Sequence, residues 1–397
     1  MSSRSAPRRR AERSSRRRSR AARTTPDPRP APVAPVALPA PVDAPAPEPA
    51  SPVVAEDRAA APEPESRPLT RRARFARTRW PFVIWLLVVL AGVGALVSCR
   101  LEVGADWVCG AGAVAVSTAY SWALAVRCGG RPVVVGALAL VLGLAAVLSD
   151  DDSLRTGAAV LTCVVAAVLA VMATAPTVRF VGAIREVVLA LVLAAVGAMA
   201  TVGFEPVVRV ARFEYVTLGL SLLGSFAVVY RLGAGLHGLG RRGVVIVLIG
   251  SGVLAITLAY AELLRRYGTP GLVGNLLDVV VWSRDTLGAF PRPLETVLGI
   301  PALAWGVHMR ARRRQGWWVC AFGVAATAPV AQGLVNPSIT LVESALAVTY
   351  GAVVGLLIGY AVIRIDLAFT APRGRRGRRA EAAAALRPEP PRTRALL

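Results

Sequence analysis

The sequence predicts an all-α fold, a polytopic transmembrane helix bundle of about ten helices preceded by a disordered amino-terminal tail. Three observations predict it. Between Trp80 and Asp366 the chain is a succession of apolar runs about 20 residues long, enough to cross a hydrocarbon core of about 30 Å. The gaps between the runs carry arginine in alternation. And a chain that is 55% hydrophobic, with a mean hydropathy of +0.55, still has a formal charge of +22, because its charge sits in the ends and in the gaps.

Residues 1–23 are rich in Arg and Ser, and residues 26–67 are dominated by Pro and Ala with scattered Asp and Glu. Such a composition lacks the apolar area to offset chain entropy, so 1–79 reads as a disordered cytoplasmic tail whose Pro-rich part is a semi-extended spacer. Arg16, Arg17 and Arg18 before Ser19 suit a basophilic kinase, although a solvated tail drawn to anionic lipid headgroups is the simpler reading. Arg71, Arg72, Arg74, Arg77 and Arg79 precede the first apolar run and hold the amino terminus inside. Leu96 to Cys99 matches a lipobox, but 79 residues before the apolar run are far too many for a signal peptide, so the first helix is expected to stay uncleaved.

By run length the spans are 80–99, 106–126, 132–149, 157–178, 186–204, 215–230, 243–261, 293–309, 317–334 and 341–364, inside a membrane domain of 80–366. The loops supply an independent check. Arg127 and Arg131, Arg179 and Arg185, Arg231, Arg241 and Arg242, and Arg310, Arg312, Arg313 and Arg314 occupy every second gap, which should therefore be cytoplasmic. The intervening gaps hold Asp150, Asp151 and Asp152, or mixed charges such as Glu205 with Arg209. The 367–397 segment is basic again, at Arg373, Arg375, Arg376, Arg378 and Arg379, and reads as a disordered cytoplasmic tail. Both termini then face the cytoplasm and the span number is even. Trp80, Trp107, Trp317 and Trp318 fall at span ends, where an amphipathic ring suits the headgroup layer.

The longest connection, 262–292, should lie outside and is not a plain loop. Val273, Leu276, Leu277, Val280 and Val281 recur at helical spacing with Asn275, Asp278 and Asp285 opposite, an amphipathic helix opened by Pro270 and Gly271 and closed near Gly288. It is expected to lie flat at the outer interface, a lid over an outward cavity being the functional alternative.

Motifs that carry chemistry are missing. No nucleophile elbow, P-loop or dinucleotide fingerprint occurs in a fitting context, so no catalytic residue and no enzyme activity is expected. The two histidines, His237 and His308, sit beside arginine clusters without an acid or thiol at ligand spacing, and the five cysteines include no C-x-x-C pair; no metal and no cofactor is expected. Cys99 and Cys109 approach each other if the first two helices form a hairpin with an outer turn; sequence leaves the bridge open, free thiols in apolar surroundings being the commoner outcome. The net charge suggests nucleic acid, but arginines flanking spans follow from the positive-inside bias, so lipid headgroups are the expected partner, with a protein partner for residues 1–79 left open.

Acidic residues at the spans are the better guide, because a carboxylate at mid-membrane is costly. Glu295 opens the eighth span and Glu343 the tenth, with Gln332 and Asn336 just before the latter. Pro301 and Pro329 interrupt the eighth and ninth spans, and the tetrapeptide Ala-Thr-Ala-Pro recurs at Ala173–Pro176 and Ala326–Pro329, as an inverted five-plus-five repeat would place it. In the tenth span Gly351, Gly355 and Gly359 form a slowly drifting stripe for close helix packing. Glu343 and Tyr350 project onto the same half, so that Glu343 is expected to border an outward polar cavity with Glu295 or Gln332 as neighbour.

The block ending in Tyr360-Ala-Val-Ile-Arg-Ile-Asp366 and an Arg- and Pro-rich tail resembles uncharacterised multi-pass integral membrane proteins of high-GC bacteria, a source that the absence of lysine among 46 basic residues also fits. The resemblance implies an integral protein of the bacterial cytoplasmic membrane and transfers no residue role. Two function classes follow from the residues: a transporter or permease of unknown substrate, with Glu343, Tyr350, Glu295, Gln332 and Asn336 on its path, or a membrane scaffold or assembly factor acting through its Arg/Pro-rich tail.

Overall fold

A computed structural model of the chain describes residues 80–397 except 104, 106, 150, 235, 268, 269, 313–315, 371–373, 375, 377–388 and 397, with backbone alone for 233–242 and for some positions between 246 and 276. The expected tail 1–79 therefore lies outside the described residues, as does the His237 side chain.

Everything regular among the described residues is helical. The chain runs through α1 (Trp80–Arg100), α2 (Trp107–Arg127), α3 (Pro132–Leu148), α4 (Asp152–Met172), α5 (Phe180–Gly203), α6 (Val210–Val229), α7 (Leu236–Tyr267), α8 (Pro270–Leu287), α9 (Ile300–Arg310), α10 (Gly316–Ala321), α11 (Val324–Val335) and α12 (Leu341–Thr370). Among the described residues eight helices are long and apolar enough to cross a membrane, with α3 a shorter apolar helix. The chain is a multi-span membrane protein.

Local chemistry sets the boundaries, and several differ from those read off hydropathy: α6 starts at Val210 rather than 215, α7 extends over Leu236–Tyr267 rather than 243–261, α12 runs to Thr370 rather than 364, and α4 and α5 shift as well. α4 begins at Asp152 because the Asp151 carboxylate accepts the Ser153 amide at 2.7 Å, capping the helix. It stops at Met172 rather than 178: the residue before Pro176 is pushed out of the helical region, so Thr174 to Thr177 run irregularly. α5 correspondingly starts at Phe180, not 186, and carries Arg185 and Glu186 inside its first turns. α8 has the bounds expected of the amphipathic segment, with Pro270 at its start and Gly288 (φ +78°) reversing the chain after it.

The eighth and ninth spans are interrupted. Pro301 cannot donate to Val297, and the ladder absorbs the loss in a π turn at Glu295–Gly299, where the Ile300 amide reaches back five residues to the Glu295 carbonyl. The ninth span breaks at Phe322 and Gly323, whose amides bond three residues back to Val319 and Cys320 at 3.1 and 2.8 Å, before α11 resumes with Pro329 inside it. These broken helices are the centre of the bundle. α11 packs among α4, α5 and α6, while α9 packs against α5, α10 and α12. By contrast α1, α3 and α7 turn Leu87, Leu90, Val133, Val141, Leu248 and Ile256 outward, as helices bordering lipid do.

The connections gather at two ends. Arg127, the α4–α5 connection and Arg310 meet at one, the arginine end; the α1–α2 turn, the start of α4 beside Val207, and the contacts of α8 with α12 mark the opposite end. At that opposite end Cys99 and Cys109 are bridged, with Cα atoms 5.5 Å apart. The expectation of free thiols gives way because the α1–α2 hairpin is tight enough to align them. Opening so short a loop, by Cys99→Ser or by reductant, should lower stability by about 2–3 kcal/mol on a chain-entropy basis. The check is the midpoint of thermal unfolding in detergent with and without reductant.

Candidate functional site

Two polar clusters interrupt this apolar bundle, and the first surrounds the broken helices. Arg292, half-buried just before the π turn, donates through Nη1 to the carbonyl of Pro329 in α11. Gly333, one turn further on, makes room: a Cβ there would overlap the guanidinium and lie 2.8 Å from the Ser344 hydroxyl of α12. One turn after Arg292, Glu295 is wholly buried, and neither carboxylate oxygen has a hydrogen-bond partner among the described residues. Its carboxylate lies against α12, where a Cβ on Gly351 would be 3.3 Å from Glu295 Oε1 and from Thr296 Oγ1. Arg292 is the charged group that acts on it.

The structure separates the remaining residues named from sequence. Gln332 donates through Nε2 to the Glu214 carbonyl at 3.1 Å and to Thr217 Oγ1 at 3.0 Å, tying α11 to α6. Glu343 pairs with Arg284 of α8 at 3.0 Å, and the Tyr350 hydroxyl donates to the Leu287 carbonyl at 2.9 Å. Those two side chains brace α8 against α12; Glu343 meets Arg284 rather than Glu295 or Gln332. Asn336 accepts from the amide and hydroxyl of Ser338, closing the turn before α12. The glycine stripe faces inward: Gly351 meets Glu295 and Thr296, Gly355 meets Ile300, and Gly359 meets Ala304 and Pro301.

The second cluster, at the arginine end, was not singled out by sequence. Arg310 is 2% exposed, its guanidinium 3.4 Å above the Trp317 ring, and it donates to the hydroxyl and carbonyl of Thr174 at 2.8 and 3.0 Å. Arg127 is equally buried and donates through Nε to the Met172 carbonyl at 2.9 Å. Glu186 accepts the Ala175 amide at 2.8 Å and is flanked by Arg185. The chain after α12 returns here. Glu389 pairs with Arg310, Arg392 with Glu186, and the Leu396 amide donates to the Arg127 carbonyl at 3.0 Å. Within the segment expected to be a tail, α12 runs to Thr370 and Glu389–Leu396 lies on the bundle; composition alone does not reveal such complementary buried charges. The two Ala-Thr-Ala-Pro copies also differ. The first ends α4 and the second lies within α11, yet each offers a carbonyl, Thr174 or Pro329, to an arginine.

No protein-family model matches this chain, and neither the curated proteins nor the solved structures contain a match to it. The site therefore rests on its own geometry. Arg127 and Arg310 were hidden from sequence by their resemblance to ordinary boundary arginines. Arg292 carried a signal, standing three residues before Glu295 at the start of the eighth apolar run. Glu186 carried one too, as an acid beside an arginine-rich gap.

Proposed function

We propose that this chain is a transporter or permease-like protein of a bacterial cytoplasmic membrane, with both termini and the arginine end in the cytoplasm. The observation that carries the reading is the pair of interrupted spans at the core, which set the buried Glu295 in a π turn and bring the half-buried Arg292 to the Pro329 carbonyl. Broken helices around a polar site within the membrane are how secondary transporters coordinate ions and substrates, and a buried carboxylate without a partner is retained against a cost in stability. Glu295 is the residue assigned to the path; Glu343 and Tyr350 hold α8 over the opposite end.

The test is flux of a metabolite panel into vesicles of reconstituted protein. Glu295→Gln should abolish flux while the protein stays monodisperse, whereas Glu343→Gln, which removes only a solvent-screened pair, should change stability by no more than about 1 kcal/mol. Flux unaffected by Glu295→Gln would sink the assignment. A scaffold role predicts no flux and capture of a partner by residues 1–79. For orientation, a cysteine introduced at Asn275 should react with an impermeant reagent in intact cells and one at Arg312 should not; the reverse would overturn the topology.

A further inference from the structure

Three charged side chains from three elements are buried at the arginine end, and each ends on the same peptide. Arg310 of α9 presents Nε and Nη2 to the two oxygens of Glu389, a forked pairing that a lysine could not make. Glu186 of α5 takes the Arg392 guanidinium on both carboxylate oxygens. Arg127 of α2 donates through Nη1 to the carbonyls of Pro390, Pro391 and Arg394, at 3.3, 3.0 and 3.0 Å.

The peptide is suited to this reception. Pro390 and Pro391 have no N–H to satisfy and favour an extended backbone, so their carbonyls are free to accept and little chain entropy is lost on docking. The Arg394 amide closes a turn on the Pro391 carbonyl at 2.9 Å, after which the chain runs beside the end of α2, and Leu396 packs on the core. The receiving side is equally prepared. Arg310 is held by Thr174 and by the Trp317 ring, and Arg127 by Met172, through contacts that do not involve the peptide. Without it, however, two buried arginines would face one another with the Glu389 carboxylate removed, a costly arrangement that favours any ligand restoring the anion.

We propose that this end of the bundle is a recognition site for an extended peptide bearing a carboxylate and an arginine three residues apart across two prolines, and that Glu389–Leu396 is its ligand in cis. The segment is then a displaceable latch joining α2, α5 and α9. A peptide of the same pattern on another protein would compete for the same three side chains. Tethering favours the cis occupant by raising its effective concentration to about the millimolar range, so release requires weakening the cis contacts.

Two measurements on the full chain in detergent test this, and neither depends on transport. Hydrogen exchange of the Arg394 and Leu396 amides, the two that donate in the docked segment, should be at least tenfold slower than in a free peptide of the same sequence, and Arg392→Glu, which sets like charge against Glu186, should restore the free rate. A fluorescent peptide of residues 388–397 should then bind the Arg392→Glu chain at least tenfold more tightly than the wild type, where the cis segment competes. The same peptide carrying Arg392→Glu should not bind. Exchange at the free-peptide rate in the wild type would overturn the latch, independently of whether the variant folds. Equal binding of the peptide to both chains would overturn the site.

Discussion

Gly355→Leu is expected to abolish the yield of folded protein. A Cβ at Gly355 would stand 2.7 Å from the Ile300 Cβ and 3.1 Å from the Thr296 carbonyl, in the middle of the α12 contact with the π turn and α9. The obstruction includes backbone, so rotamer changes cannot relieve it and the two elements must separate. In a membrane that contact rests on van der Waals packing, which falls steeply with distance. The cost should be about 3 kcal/mol or more, at the upper end of overpacking penalties. Separation would also pull Gly351 away from Glu295. Gly219→Leu on α6 is the matched control, since nothing lies within 4 Å of its Cβ position. Size-exclusion profiles and thermal unfolding of both variants decide the point; a monodisperse Gly355→Leu protein as stable as Gly219→Leu would show that the stripe is not a packing face.

The second large effect is expected at Arg292. Its guanidinium reaches the Pro329 carbonyl and is the charge that acts on Glu295. Arg292→Met preserves much of the side-chain volume but removes a charged donor from the Pro329 carbonyl and takes away the cation that acts on Glu295, which should cost about 1.5–3 kcal/mol, the range for a hydrogen bond made by a charged group. Adding Glu295→Gln to Arg292→Met should recover more than half of the loss, and Glu295→Gln alone should be neutral or stabilising. Such a double-mutant cycle isolates the coupling between the two side chains from their separate contacts. Additive losses would mean that Arg292 acts through Pro329 alone and that Glu295 is not its partner.

These two positions mark different depths of legibility. The glycine stripe was readable because helical geometry is local: four-residue spacing places Gly351, Gly355 and Gly359 along one side whatever surrounds them. Glu295 was readable as an acid at the start of an apolar run. The contact of Arg292 with Pro329 was not, because the two are 37 residues apart and only folding brings them together. Glu343 shows the converse: placed by helical projection on the glycine side, it is claimed instead by Arg284 of α8.

By itself the sequence determined the helical class, the multi-span character and the bounds of the amphipathic helix α8, since each follows from apolar run length and from the conformational limits of proline and glycine. It also determined which side of α12 packs. Tertiary structure alone decided what those faces meet. The Cys99–Cys109 bridge depends on hairpin closure, and the seat of Glu389–Leu396 depends on Arg127, Arg310 and Glu186 converging from three helices. Buried charge is stable only with a partner in reach, and the reach of a side chain across a bundle is a property of the packing rather than of any stretch of chain.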